Sequence, residues 1–303
     1  MIIGVVGLGT IGQRWAAAFS HAGHDVICQD PDPAQEAALR AALPGLIADL
    51  DGLNGPSPAP GRVDFVAGLA GLGPVDFVQE NAPERLELKQ ALLPAIEDQV
   101  RDEVIIASSS SALLVSEMQR DCRLPGRIVL GHPFNPAHLM PLVEIVGGEG
   151  TAPETLRRAR AFYEAMGKKP VTLNREVTGH LALRLMAAMW REAIAMARDG
   201  IASVADIDRA FIYGPGPKWT LQGAFISNAL NADGIGPFLR RYGPTYQAIW
   251  DDLLDARLDE ATIATVAGLT EAAVAGRSND ELRAAREAGL AEILAAVSRH
   301  GAL

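Results

Sequence analysis

Ile2-Ile3-Gly4-Val5-Val6-Gly7-Leu8-Gly9-Thr10-Ile11-Gly12 is the stretch that decides the fold. Apolar Ile2 to Val6 reads as a buried strand, and Ile11 to Ala22 reads as a helix directly behind it. Between them, Gly7 permits a tight turn, Gly9 lets a pyrophosphate approach the backbone, and Gly12 allows close helix–sheet packing. The helix start offers free N–H groups and a partial positive charge to phosphates. A lone Gly-x-Gly-x-x-Gly reads equally well as a glycine-rich turn. The strand before it and the helix after it make Gly7, Leu8, Gly9, Thr10, Ile11 and Gly12 a dinucleotide-binding loop. A second strand, Asp25–Cys28, leads to Asp30, 18 residues beyond Gly12, where a carboxylate accepts hydrogen bonds from a ribose diol. Pro31, Asp32 and Pro33 provide no cation for a 2′-phosphate. The expected cofactor is therefore NAD, not NADP.

Outward from this loop, strands alternate with helical segments. A helix is expected over Pro33–Leu43 and an irregular Pro/Gly-rich loop over Asp51–Gly61. Further strands are expected at 62–66, 76–79, 104–107, 127–130 and 142–146. Such alternation implies βαβ units and a mostly parallel sheet covered on both faces. Past residue 172 the strand signal ends. One long helix is expected over Glu176–Arg198, with others over 204–211, 236–241, 247–254 and 258–275. A last helix starts behind Ser278-Asn279-Asp280-Glu281, which has the capping-box form. The expected architecture is an α/β Rossmann-type domain, doubly wound, over residues 1–173, followed by an all-α domain over 174–303 for substrate binding and dimerisation.

The 303 residues are 49% hydrophobic and carry 27 Lys+Arg against 37 Asp+Glu, a net charge of −10. This excludes a disordered chain and argues against nucleic acid or an anionic membrane as partner, because phosphate binding needs clustered cations. Cys28 and Cys122 are the two cysteines, too few for a disulfide framework or a cysteine-rich metal site. No metal is expected. Met1 runs straight into the first strand with no basic leader, and the apolar stretch near Leu181–Trp190 is broken by Arg184. A reduced, cytoplasmic setting is the expectation.

Three segments place polar groups just past strands, at the edge where open α/β sheets bind ligands. They are Gln79-Glu80-Asn81-Ala82-Pro83-Glu84-Arg85, Ser108-Ser109-Ser110-Ser111-Ala112-Leu113, and Gly131-His132-Pro133-Phe134-Asn135-Pro136 with Leu142-Val143-Glu144 behind it. Oxidising an alcohol needs a base for the hydroxyl proton, and neutral imidazole suits that task near neutral pH.

With these motifs the chain resembles the L-3-hydroxyacyl-CoA dehydrogenase superfamily over nearly its whole length. The spacing of 21 residues from Ser111 to His132 and of 12 from His132 to Glu144 fits that pattern. Arg14-Trp15, Ala82-Pro83-Glu84, Gly131-His132-Pro133 and Gly216-Pro217-Lys218-Trp219 resemble the branch holding L-gulonate 3-dehydrogenase (lambda-crystallin) and L-carnitine dehydrogenase. The resemblance implies His132 as general acid/base, Glu144 as its carboxylate partner, and Ser111 as a donor to the substrate oxygen. It implies cofactor contacts for Glu80, Arg85 and Asn135. It also implies a homodimer. Lys218 is the candidate for holding a substrate carboxylate, and Trp219 for lining the pocket of a sugar acid or a quaternary ammonium.

Each residue has a plainer alternative. His132 closes a strand, Glu144 is a surface carboxylate, the serine run caps a helix, Glu80 and Arg85 form an exposed ion pair, and Lys218 is a solvated loop lysine. The chain departs from the family at Gly179-His180-Leu181-Ala182-Leu183-Arg184. There Leu183 stands where an Asn or Asp is usual, and His180 replaces the usual aromatic. Because residues three apart share a helix face, His180 is expected near the missing amide, with a helix-packing histidine as the alternative. The expected function is NAD-dependent oxidation of a small L-3-hydroxy acid, L-gulonate first, with L-carnitine or a 3-hydroxyacyl-CoA as alternatives. The Asp51–Gly61 loop and a single cation over residues 31–61, Arg40, disfavour a CoA ester. A non-catalytic crystallin-like protein and an NAD-sensing regulator are the readings from other classes.

Overall fold

The computed structural model describes residues 1–301, which divide into a compact unit over Met1–Arg184 and a second from Leu185 onward. The first unit runs β1(Ile2–Val6), α1(Thr10–His21), β2(Asp25–Gln29), α2(Ala34–Asn54), β3(Val63–Val66), β4(Phe77–Glu80), α3(Leu86–Glu97), β5(Ile105–Ser108), α4(Val115–Met118), β6(Ile128–Pro133), β7(Leu142–Val146), α5(Pro153–Ala165) and β8(Lys169–Thr172). Its eight strands form one sheet in the order β3-β2-β1-β4-β5-β6-β7-β8. All pairs are parallel except β6–β7, which is antiparallel. The first six strands follow the doubly wound dinucleotide-binding order, in which ligands sit outside the carboxyl ends near the switch between β1 and β4. Gly7 and Asn81 follow those two ends.

The inner strands β4, β5 and β6 are buried on both faces, as apolar runs in a covered parallel sheet must be. Neighbouring residues point to opposite sides. Val5, Phe77, Ile105 and Val129 join Trp15, Phe19 and Tyr163 in one core. Val6, Val78, Ile106 and Ile128 join Leu93 and Met118 in the other.

Two boundaries differ from expectation for identifiable reasons. Helix α2 does not stop at Leu43 but continues through Pro44 to Asn54, shortening the expected loop. Its helical period of apolar residues persists past the proline, and Leu39 and Leu50 are both buried. That packing offsets the hydrogen bond lost at Pro44. Helix α6 begins at Ala182, not Glu176, because Gly179 (φ +76°) and His180 (φ +51°) are both left-handed. Strand β8 and helices α3 and α5 were not anticipated.

The second unit contains most of α6(Ala182–Arg198), then α7(Val204–Tyr213), α8(Pro215–Ala229), α9(Ile235–Asp252), α10(Glu260–Ala273) and α11(Asn279–His300). The expected pair of helices at 236–241 and 247–254 is one helix, α9, running through Pro244. Phe238 contacts Tyr242 and Tyr246, and Tyr246 contacts Trp250, at centroid distances of 4.9, 5.9 and 6.2 Å. This aromatic row at four-residue spacing ties both halves together across the proline. The Ser278 capping box is formed as expected. Leu185 (74% exposed), Trp190 (59%), Phe225 (80%) and Trp250 (59%) leave this unit with much apolar surface in the single chain.

Candidate active site

The glycine loop has the geometry a pyrophosphate needs. Gly7 sits at φ +86°, and a Cβ there would lie 2.8 Å from the Asn81 carbonyl group. A Cβ on Gly12 would lie 1.8 Å from the Gly7 carbonyl oxygen, so α1 packs against the turn as only glycine allows. At Gly9 a Cβ would meet nothing within 4 Å, so the open face beside it is available to a ligand. Gly9 is the N-cap of α1 and no side chain caps its first turn. These residues fit a bound dinucleotide. Asp30 Oδ2 accepts from the Leu8 N–H at 2.7 Å and Oδ1 from the Asp32 N–H at 2.9 Å. The carboxylate therefore ties the end of β2 to the glycine loop, a role its spacing alone did not reveal.

The antiparallel β6–β7 pair brings the histidine and its carboxylate together. Their register sets His132 directly opposite Glu144, so a spacing of 12 residues becomes a cross-strand pair. His132 Nδ1 lies 2.8 Å from Glu144 Oε2, with His132 5% exposed and Glu144 fully buried. An ionised carboxylate only accepts, so Nδ1 carries the proton and Nε2 presents a lone pair. Glu144 Oε1 accepts from the N–H groups of Leu181 and Ala182 at 2.7 and 2.8 Å, at the start of α6. Burial pushes the Glu144 pKa up, but the hydrogen bonds from His132, Ala182 and Leu181 outweigh it and hold the carboxyl below its ordinary value. The pair is a buried, hydrogen-bonded imidazole–carboxylate couple with one ring nitrogen free, an arrangement chemically able to take a proton from an alcohol.

The serine turn is held from an unexpected direction. Glu84 Oε1 accepts from the Ser110 hydroxyl at 2.5 Å and from the backbone N–H groups of Ser111, Ala112 and Leu113 at 3.0, 2.9 and 3.2 Å. Burial raises the Glu84 pKa, yet these bonds and the charge of Lys89 leave it lowered. Ser111 is thereby fixed through its backbone, and it is half-buried. Glu84 could have been singled out only by knowing that the turns after β4 and β5 are neighbours.

Glu80 corrects the sequence reading. Its carboxylate is fully buried and accepts from Lys89 Nζ at 2.8 and 2.9 Å, from the Ser108 hydroxyl at 2.5 Å and from the Ala82 N–H at 2.5 Å. It forms no exposed pair with Arg85; it locks the two turns together. Lys89, nine residues on, is one helical turn inside α3, and nothing in the local pattern marks it as the partner. Arg85 is the exposed N-cap residue of α3. Arg14 donates to the Asn135 side-chain oxygen, joining α1 to the segment behind β6.

Beneath these turns, Gln79 donates to the Ser109 hydroxyl and the Gly131 carbonyl at 2.8 and 3.1 Å and accepts from the Tyr163 hydroxyl at 2.6 Å. A Cβ at Gly131 would lie 2.1 Å from that Tyr163 oxygen, which explains the glycine before His132. Leu183 is half-buried in the first turn of α6 and supplies no polar atom. His180 instead approaches His132, with ring centroids 5.2 Å apart. In the second unit, Lys218 and Trp219 lie in α8, not in a loop, and Trp219 meets the edge of Phe211 at 6.5 Å. Pro215 and Pro217 stand in its first turn, where proline is tolerated. Among the described residues no cluster of three or more His, Cys, Asp or Glu could hold a metal, and no helix is long and apolar enough to cross a membrane.

Comparison with known proteins gives the family of the chain. The family description 3-hydroxyacyl-CoA dehydrogenase, NAD binding domain, matches residues 2–177, and its C-terminal domain matches residues 179–225. L-carnitine dehydrogenase of Pseudomonas aeruginosa is 41% identical over 98% of this chain and 95% of its own. The protein of that name from Bacillus cereus is 37% identical over 98% and 92%. The crystal structure of 5-formyl-3-hydroxy-2-methylpyridine 4-carboxylic acid 5-dehydrogenase, an NAD+ dependent dismutase, superposes with a TM-score of 0.86 at 27% identity, covering 98% of both chains. Matched over both its domains and along nearly its full length, the chain belongs to the 3-hydroxyacyl-CoA dehydrogenase family of NAD-dependent oxidoreductases acting on a 3-hydroxyl group.

Proposed function

We propose that this enzyme oxidises the 3-hydroxyl of a small free L-3-hydroxy acid, and that the acid is L-carnitine. The observation that carries the substrate is the name shared by full-length relatives from separate bacterial genera. It puts L-carnitine ahead of L-gulonate, which the sequence alone ranks first.

In this mechanism His132 Nε2 takes the substrate hydroxyl proton, and Glu144 holds the ring in that tautomer and stabilises the imidazolium that forms. Bound NAD would supply the hydride acceptor for C3. The Ser111 hydroxyl donates to the substrate oxygen. Gly7, Leu8, Gly9, Thr10, Ile11, Gly12, Asp30, Arg85 and Asn135 form the cofactor side, with Glu80 acting behind them through Lys89 and the two turns. On the helical unit, Lys218 is the residue proposed to bind a substrate carboxylate and Trp219 the ring proposed to face a cation. Arg40, the sole cation between residues 31 and 61, is engaged by Glu36 at 2.8 Å and lies over the Phe65 ring. That leaves it poorly placed for the phosphates of a CoA ester. The exposed apolar residues of the helical unit support a homodimer formed through that unit, and two free, buried cysteines suit a cytoplasmic setting.

Measuring kcat/KM for L-carnitine, L-gulonate, L-3-hydroxybutyrate and 3-hydroxybutyryl-CoA at saturating NAD tests the substrate. L-Carnitine leads by at least about tenfold, since a pocket built for a charged group rejects analogues lacking it. A CoA ester or L-gulonate in first place overturns the proposal.

Asp30 gives a cofactor test. Exchanging Asp30 for Ser together with Pro31→Arg removes the diol acceptor and adds a phosphate donor, so preference moves from NADH toward NADPH in direct binding measurements. The change also frees the Leu8 N–H, so NADH affinity falls even where NADPH affinity gains little. A wild-type protein that binds NADPH as tightly as NADH contradicts the role given to Asp30.

A further inference from the structure

His180 is 1% exposed and holds a conformation that non-glycine residues seldom adopt, φ +51°. Its Nε2 lies 3.2 Å from the Ser110 carbonyl oxygen. A carbonyl only accepts, so Nε2 carries the proton and Nδ1 is left with its lone pair. Nδ1 is buried and has no hydrogen-bond partner among the described residues. Burial pushes the ring below the ordinary histidine pKa, although the Ser110 bond acts the other way; the neighbouring His132 lowers it further. His180 is therefore an uncharged acceptor.

Its position follows from the carboxylate that orients the base. Glu144 Oε1 takes the N–H groups of Leu181 and Ala182, which draws the preceding residue alongside His132. One edge of His180 rests on Ser110, next to Ser111, and its ring stands 5.2 Å from that of His132. It thus lies beside His132 and against the serine turn that carries Ser111.

We propose that His180 is a specificity-determining residue whose Nδ1 offers an uncharged lone pair to a trimethylammonium group on the carbon next to the reacting carbinol. This rests on the carnitine reading above. A quaternary ammonium has no N–H to donate, so it is recognised by lone pairs, ring faces and negative charge. A protonated imidazole would repel it. The nearby Glu84 and Glu144 carboxylates add to the attraction, and an unpartnered buried acceptor gains most from a cationic neighbour.

Two variants separate this from a packing role, because each keeps a different half of the imidazole. In His180→Gln the amide reaches the Nε2 position and can keep the Ser110 contact, without an acceptor at Nδ1. In His180→Asn the amide oxygen replaces Nδ1 and the Ser110 contact is lost; Asn also tolerates a left-handed backbone. Melting temperature and NADH affinity establish that each variant is folded. The expected result is a fall in kcat/KM for L-carnitine of about 10- to 100-fold in His180→Gln, mainly through KM. His180→Asn stays close to wild type, and L-3-hydroxybutyrate changes little in either. If His180→Asn falls as far as His180→Gln, or if both substrates fall by the same factor, His180 only packs and the proposal is overturned. The carnitine reading is judged separately, by the wild-type substrate order. Should another acid lead there, the order of the two variants on that acid decides whether Nδ1 meets the substrate.

Discussion

Replacing His132 with alanine is expected to lower kcat by about 10² to 10⁴ and to leave NADH affinity close to wild type. The reason is positional. His132 ends a strand whose geometry is set by backbone pairing with β7 and by the Tyr163–Gln79 bond beneath Gly131, so removing the ring leaves the glycine loop untouched. Stopped-flow measurement of NADH formation checks this, and a variant that keeps most of the wild-type rate removes His132 from the mechanism.

Glu144→Gln is expected to be nearly as damaging, although it changes one atom. The amide has one accepting and one donating end. Leu181 and Ala182 both present N–H groups to Oε1 and require an acceptor there, which turns the NH2 toward His132 Nδ1. The ring answers by placing its proton on Nε2, where the base must be free. In serine proteases an Asp→Asn change that traps the wrong tautomer costs about 10⁴ in kcat, and a loss of the order of 10² to 10⁴ is expected here, with KM for NAD little changed. Glu144 also links pH to stability. Because its folded pKa lies below the ordinary value, its contribution is complete above the normal carboxylate range and is lost as pH falls through the folded value. The glutamine variant unfolds with a shallower acid dependence. Wild-type turnover in Glu144→Gln contradicts the tautomer argument.

What could be read from the residues was whatever the chemistry writes locally. The glycine loop is such a case, because each glycine answers a contact within the same turn: Gly12 faces Gly7, five residues away. The His132–Glu144 pair was legible through the family resemblance, and the antiparallel β6–β7 pair turns its spacing of 12 residues into direct opposition. Glu80 was not, because its partner Lys89 approaches only after α3 folds back across β4. Glu84 and the serine turn meet through the adjacency of β4 and β5, which no local pattern encodes. Pro44 and Pro244 were taken as stops, yet burial of Leu50 and the Tyr242–Trp250 aromatic row hold both helices through them. His180 falls in between. Its proximity to the family's missing amide was expected from helical spacing, but the local backbone is a left-handed turn ahead of α6, not a helix.

The central claim is that hydride leaves C3 of a small hydroxy acid for NAD while His132 takes the proton. L-Carnitine deuterated at C3, incubated with the enzyme and NAD, tests it directly by mass spectrometry of both products. The account predicts one deuterium in each reduced cofactor formed and an equal amount of the unlabelled 3-keto acid. Reduced cofactor without the label, or no reduction with L-carnitine at all, would contradict it.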